Sequence, residues 1–287
     1  MADYSDRYWN SPDGLKLHYR DYDGPHERPP ILCIPGLTRN ARDFEPVAER
    51  FAGEWRVIAV DLRGRGLSEH DADRQRYIPQ TYAIDLLKLL DQLGIADAVF
   101  IGTSLGGIVT MLMAMQDNER IAGALLNDIG PEIDQAGVDR IADYVGKPAF
   151  YASWDEIARD LAKRNGDTFP AWDVGQWERF ARRVAREKDG SIEFDYDAGI
   201  AEVFYATANA PAMSAWPYYQ ALAGRPVTLL RGALTDLLDA KIAERMASEI
   251  PNVELVTIPN VGHAPTLDES ESLAAIERLL RRVLARA

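Results

Sequence analysis

The stretch Val99-Phe100-Ile101-Gly102-Thr103-Ser104-Leu105-Gly106-Gly107 decides how the rest of the chain is read. An apolar, β-prone run from Ala98 to Ile101 meets Gly-x-Ser-x-Gly, and a helical run from Ile108 to Met115 follows at once. The pattern is strand, sharp turn, helix, with a serine at the apex. So tight a turn leaves no room for side chains where strand end and helix start approach, and Gly102 and Gly106 carry none. Ser104 is therefore expected in a strained backbone conformation, its hydroxyl exposed above the strand. The first N–H groups of the following helix lack intrahelical partners and carry the positive end of its dipole. Both favour an oxyanion forming next to Ser104.

In this strand–helix context the motif resembles the nucleophile elbow of the α/β-hydrolase superfamily, with Ser104 as the nucleophile. The resemblance implies a mostly parallel eight-stranded sheet flanked by helices, with an inserted helical cap. It also implies a catalytic acid and a histidine further along the chain, in the order Ser, acid, His.

Composition bounds the alternatives. A chain of 287 residues, 47% of them hydrophobic, can bury a substantial core or a core plus an inserted subdomain. The formal charge of −13 repels nucleic acid and anionic membranes, so neither is an expected partner. The start, Met1-Ala2-Asp3-Tyr4-Ser5-Asp6, has no basic or apolar leader pattern, and no apolar run is long enough to span a bilayer. Cys33 is the single cysteine and sits in an apolar run, which reads as a buried structural thiol. A cytoplasmic protein is expected, acting on a small molecule; oligomeric state stays open.

Taken in order, Arg7–Asn10 and Leu15–Tyr22 read as a hairpin around Ser11-Pro12-Asp13-Gly14, with His18 an ordinary strand residue. Pro30–Ile34 suits a strand buried on both faces, and it ends in Pro35-Gly36-Leu37-Thr38-Arg39-Asn40. By resemblance, the glycine turn there supplies one oxyanion-hole N–H, from Leu37. Many relatives carry histidine before that glycine, where this chain has Pro35. Ala41–Phe51 reads as a helix and Arg56–Val60 as a strand. Asp61-Leu62-Arg63-Gly64-Arg65-Gly66-Leu67-Ser68 follows, a loop that Asp61 and Arg63 are expected to fix; His70 nearby is a weak pocket candidate. A helix from Gln80 to Leu93 and a strand from Ile121 to Leu126 flank the elbow unit, the latter ending Asn127-Asp128-Ile129-Gly130-Pro131.

Beyond Pro131 the strand–helix alternation stops. Residues 131–220 read as the helical cap, leaving 1–130 and 221–287 as the core. Ser153-Trp154-Asp155-Glu156 opens a helix ending at Gly166, and Trp177–Lys188 reads as another before Asp189-Gly190. This stretch is rich in aromatics (Phe150, Tyr151, Trp154, Phe169, Trp172, Trp177, Phe180, Tyr205, Trp216, Tyr218 and Tyr219), of which three or four are expected to face the pocket, the sequence not showing which. The core resumes with strands Pro226–Arg231 and Val253–Ile258, helix Leu238–Ser248, and a closing helix with Leu273, Ile276, Leu280 and Val283 on one face.

A serine hydroxyl needs a base within hydrogen-bond reach, and that base an orienting carboxylate. By the resemblance these are His263, after the eighth expected strand, and Asp236, after the seventh. Asp128, at the end of the sixth, is the rival acid, in a position some relatives use. The expected chemistry is acyl transfer from a small to medium, largely apolar ester or lactone, with the Leu37 and Leu105 N–H groups on the oxyanion. No metal or organic cofactor is expected: neither zinc-ligand spacing nor a phosphate-binding Gly-Lys-Ser/Thr loop occurs. Two alternatives stand beside it. Carbon–carbon hydrolases of ring-cleavage products share the serine machinery, but commonly carry tryptophan where this chain has Ala264. A small-molecule receptor on the same fold is the non-enzyme alternative.

Overall fold

A computed structural model describes residues 2–208 and 214–286. Residues 209–213 of the expected cap and the Met1 of the expected start lie outside the described residues. In chain order the elements are β1 (Ser5–Asn10), β2 (Lys16–Tyr22), β3 (Ile31–Ile34), α1 (Glu45–Phe51), β4 (Val57–Asp61), α2 (Pro79–Gln92), β5 (Ala98–Thr103), α3 (Leu105–Gln116) and β6 (Ile121–Asn127). Then come α4 (Gln135–Ala142), β7 (Phe150–Tyr151), α5 (Trp154–Asn165), α6 (Val174–Val184), β8 (Ala185–Lys188), β9 (Ser191–Phe194), α7 (Ile200–Ala208) and α8 (Trp216–Gln220). The chain closes with β10 (Val227–Gly232), α9 (Ala240–Glu249), β11 (Val253–Ile258) and α10 (Ser270–Leu284).

Eight strands form one sheet in the order β1-β2-β4-β3-β5-β6-β10-β11. The β1–β2 and β2–β4 pairs are antiparallel and the rest parallel. Continuous apolar strands such as Ile31–Ile34 are explained by burial on both faces. Side chains alternate: Ile31, Cys33, Val99 and Ile101 pack with α1 and α10, whereas Leu32, Ile34 and Phe100 pack with α2, α3 and α9. Cys33 is fully buried, as expected. His18 is buried too, held between Asp61 at 2.7 Å and Asp6 at 2.9 Å.

The segment between β6 and β10 carries the helices expected of the cap, α4 to α7, and also strands that the sequence reading did not include. Trp177–Lys188 is not one helix: α6 stops at Val184, and β8 turns back into β9 to form a three-stranded sheet with β7. The reason lies in Asp189-Gly190. Both residues have positive φ, +52° and +80°, which makes a hairpin turn rather than a helix stop. Within the insert, Phe169, Trp172, Trp177 and Phe180 form their own cluster, Phe169 and Trp172 stacking at 4.0 Å. At its far end α8 packs on α3, and Tyr219 donates to the Met246 carbonyl of α9 at 2.6 Å. That helix thus sits with the core layer, although the sequence reading placed it in the cap. Among the described residues no helix is long and apolar enough to cross a membrane.

Candidate active site

The elbow is built as its glycines require. A Cβ on Gly106 would lie 2.1 Å from the Ile34 carbonyl oxygen, and one on Gly102 would lie 2.4 Å from that of Gly106. The helix can start this close to the sheet only without those atoms. Ser104 has φ +52° and ψ −115°, a conformation that costs a non-glycine residue about 1–3 kcal/mol. The strain is held in place by backbone bonds: Ser104 N–H donates to Asn127 O at 2.9 Å, and Ser104 O accepts from Gly107 N at 2.9 Å.

Parallel register fixes what stands beside it. Thr103 of β5 pairs with Asn127 of β6, so the next residues, Ser104 and Asp128, come level at the carboxyl edge of neighbouring strands. Asp128 has φ +58°, a left-handed turn that aspartate tolerates better than most residues. The turn is fully buried. Its Oδ1 accepts from Gly232 N at 3.0 Å, and its Oδ2 lies 2.9 Å from His263 Nδ1. His263 Nε2 lies 2.9 Å from Ser104 Oγ. The histidine reaches this point because the 261–262 backbone crosses over the end of β10, where a Cβ on Gly232 would lie 2.5 Å from the Gly262 carbonyl oxygen. Asn127 clamps the same loop, donating from Nδ2 to Pro265 O at 2.8 Å and to Thr103 Oγ1 at 3.0 Å.

Asp236 does not occupy the place expected of it. It lies past the end of β10, in a loop drawn toward β11 by Ala233 N and Leu234 N bonds to Ile258 O and Val261 O. Its carboxylate takes a bidentate pair from Arg140 of α4, at 2.5 and 2.8 Å. Burial raises the Asp236 pKa, but the Arg140 guanidinium outweighs it and holds the carboxyl below its usual range. The residue against His263 is the rival acid, Asp128. The sequence favoured Asp236 by its place after the seventh strand, and could not show that register already sets Asp128 level with Ser104.

The proposed oxyanion-hole residues flank the serine. A Cβ on Gly36 would lie 3.7 Å from Ser104 Cβ, so the Gly36-Leu37 turn abuts the serine. Leu37 and Ser104 line the same cavity, while Leu105 opens α3, where an N–H has no intrahelical acceptor. Arg65, passed over in the sequence, positions this turn: buried itself, it donates from Nε to Leu37 O at 3.0 Å and from Nη1 to Tyr82 Oη at 2.9 Å. Asp61 fixes the neighbouring loop, accepting from Ala41 N at 2.7 Å and Leu67 N at 2.9 Å, and Arg63 is buried among Asp13, Asp71 and Asp85. His70 is half-exposed beside Asp197 and outside the cavity.

The cavity measures about 400 Å³ and lies between the elbow and the insert. Of the expected aromatics, Phe169 and Phe180 line it; Tyr144, Phe194 and Tyr196 line it unanticipated. For Phe194 and Tyr196 the missed signal was the alternation Ile192, Phe194, Tyr196 after Asp189-Gly190. Among the described residues no group of three His, Cys, Asp or Glu side chains is placed to hold a metal ion.

Known proteins share this arrangement of elements. A family model described as the alpha/beta hydrolase fold matches residues 29–270. The crystal structure of an alpha/beta hydrolase from Novosphingobium aromaticivorans superimposes with a TM-score of 0.94 at 53% identity, covering 98% of this chain and 99% of that one. Among curated proteins, the 3-hydroxybutyrate-oligomer hydrolase of Cupriavidus necator is 32% identical, over 92% of each chain. The bifunctional esterase/perhydrolase of Acinetobacter calcoaceticus is 25% identical, over 93% of this chain and 96% of its own. With the family model spanning most of its length, and hydrolases among its relatives, this chain belongs to the α/β-hydrolase fold family.

Proposed function

We propose that this protein is a serine hydrolase that cleaves a carboxylic ester or lactone through an acyl-enzyme, with Ser104, His263 and Asp128 as its catalytic residues. One observation carries the reading: a single imidazole lies 2.9 Å from a serine hydroxyl on one nitrogen and 2.9 Å from a buried carboxylate on the other. Asp128 keeps the proton on Nδ1, so Nε2 presents a lone pair to Ser104. His263 takes the hydroxyl proton as Oγ attacks the carbonyl carbon. The oxyanion is held by the Leu37 and Leu105 N–H groups. His263 then gives the proton to the departing alcohol oxygen. Water, deprotonated in turn by His263, splits the acyl–serine bond, releasing the acid and restoring the hydroxyl.

The insert acts as the cap of this site. Its aromatic and aliphatic wall, including Leu161, Phe169 and Val184, favours a small to medium substrate with an apolar body. The hydrolase names of the Cupriavidus and Acinetobacter relatives support ester chemistry. The test is a panel of p-nitrophenyl esters, lactones and ring-cleavage dienones, run with Ser104→Ala as control. Ester or lactone turnover that disappears in the variant supports the reading. Turnover of dienones alone points to a carbon–carbon hydrolase, and saturable binding without turnover to a receptor.

A further inference from the structure

Four arginines line the cavity: Arg39, Arg140, Arg164 and Arg183. Three are engaged with carboxylates. Arg140 holds Asp236, Arg164 lies 2.7 Å from Asp160, and Arg39 Nη2 lies 2.6 Å from Asp43. Arg183 lines the cavity and is partly buried as a residue, and its guanidinium has no acceptor among the described residues. A guanidinium with no protein acceptor at a cavity wall is open to an anionic ligand. This chain has 45 acidic residues to draw on, yet places none there. Of the two carboxylates in the cavity wall, Asp43 is committed to Arg39, and Asp143 is exposed to water at the end of α4.

The backbone of Arg183 is anchored to the core. Its carbonyl oxygen accepts from Asn40 Nδ2 at 2.9 Å and from Arg42 Nε at 3.0 Å, tying the last turn of α6 to the loop that carries Leu37. Phe180 lies one turn earlier on the same helix face. The Arg39 guanidinium stacks on that ring, 4.3 Å from its centre. Arg39 in turn stands next to the nucleophile: a Cβ on Gly36 would lie 3.5 Å from Arg39 Cγ and 3.7 Å from Ser104 Cβ. Its buried Nε also lacks an acceptor. Arg183 therefore shares a helix face with Phe180, whose ring carries Arg39 on the side of the cavity where Gly36 and Ser104 lie, with an apolar wall beside it.

We propose that the ester cleaved at Ser104 carries a free carboxylate, and that Arg183 is the specificity-determining residue that binds this group. The inference rests on the ester-hydrolase reading and narrows its substrate to an apolar body with one anionic end. A guanidinium suits a carboxylate because its paired N–H groups match both oxygens.

The test compares esters that differ only in charge. One pair places the charge on the alcohol side, 3-butyryloxybutanoate against its carboxamide. A second places it on the acyl side, mono-p-nitrophenyl adipate against its carboxamide. Wild-type enzyme is expected to favour the acid in one pair by about tenfold or more in kcat/KM. In Arg183→Gln that preference collapses toward one, through a rise in KM of about tenfold to a hundredfold rather than a fall in kcat, and Arg183→Lys restores part of it. Equal cleavage of acid and carboxamide by wild type, or an Arg183→Gln variant that keeps the preference, overturns the proposal. So does a variant that loses both substrates equally. Ser104-dependent cleavage of the carboxamides sustains the ester reading in each of those cases. If no member of either pair is cleaved, the carboxylate proposal falls, and the hydrolase reading falls with it when the esters and lactones of the wider panel are left intact as well.

Discussion

Asp128→Asn separates the two carboxylates most sharply. The substitution preserves shape, and the asparagine carbonyl can still accept from Gly232 N, 3.0 Å away in the native site. What changes is the face toward His263. An amide N–H₂ directed at Nδ1, in place of an oxygen at 2.9 Å, selects the tautomer protonated on Nε2. That proton points at Ser104 Oγ, also 2.9 Å away, so the imidazole can no longer remove the hydroxyl proton. The wrong tautomer costs about 10⁴ in turnover, or about 5.5 kcal/mol at roughly 1.4 kcal/mol per decade. Asp236→Asn makes the contrast. It weakens a partly exposed pair with Arg140, an effect that solvent limits to about 1 kcal/mol of stability, with kcat within about threefold of wild type. The assay is steady-state release of p-nitrophenol from p-nitrophenyl butyrate, with thermal melts and circular dichroism to show that both variants are folded. An Asp236→Asn enzyme more crippled than a folded Asp128→Asn enzyme would refute the reasoning.

Ser104→Ala and His263→Ala should each reduce turnover by about 10⁴ to 10⁶, and the double variant should be little worse, because the groups act as a unit. Additive losses in the same assay would contradict that. Gly106→Ala drives a methyl group to 2.1 Å from the Ile34 carbonyl oxygen, so it should destabilise by roughly 3 kcal/mol in denaturant melts and displace the elbow. For Asp236 the sign is that of a lowered carboxyl: its contribution is present at neutral pH and lost as the folded group protonates. The melting-temperature gap between wild type and Asp236→Asn should therefore close as pH falls below the usual carboxylate range. Cys33 is fully buried, and burial pushes its thiol well up, so it should react with a thiol reagent only after unfolding.

The parts of this molecule that could be read from sequence are those encoded within a few residues. The elbow is one: two glycines, a serine and the flanking strand and helix all act locally, and the glycine contacts at Ile34 and Gly106 bear out the steric argument. The apolar runs of β3 to β6 are another, since burial on both faces leaves its mark on every residue. The partner of His263 was not legible, because it depends on which residues of β5 and β6 share a register, and adjacency in a parallel sheet is a property of distant segments. Aspartate at Asp128 carried a hint, its tolerance of positive φ at a strand end. The β8–β9 hairpin was misread for the opposite reason. A strongly amphipathic helix ran into Asp189-Gly190, and the same two residues can end a helix or turn a hairpin. Arg183 could not be singled out at all: the sequence shows an arginine on a helix, and only the surrounding contacts show that it has no acceptor.

Covalent capture of the nucleophile tests the central claim most directly. A p-nitrophenyl alkylphosphonate reacts with a serine whose hydroxyl is activated by a base and faces an oxyanion site, and it leaves a stable phosphonyl group behind. Peptide mapping by mass spectrometry after such treatment should find the label on Ser104 alone, at one equivalent, with ester hydrolysis lost in proportion. Label and activity should both be absent in Ser104→Ala and strongly slowed in Asp128→Asn. Full ester turnover by a protein that carries no label on Ser104, or a label on another residue that tracks the loss of activity, would contradict the account.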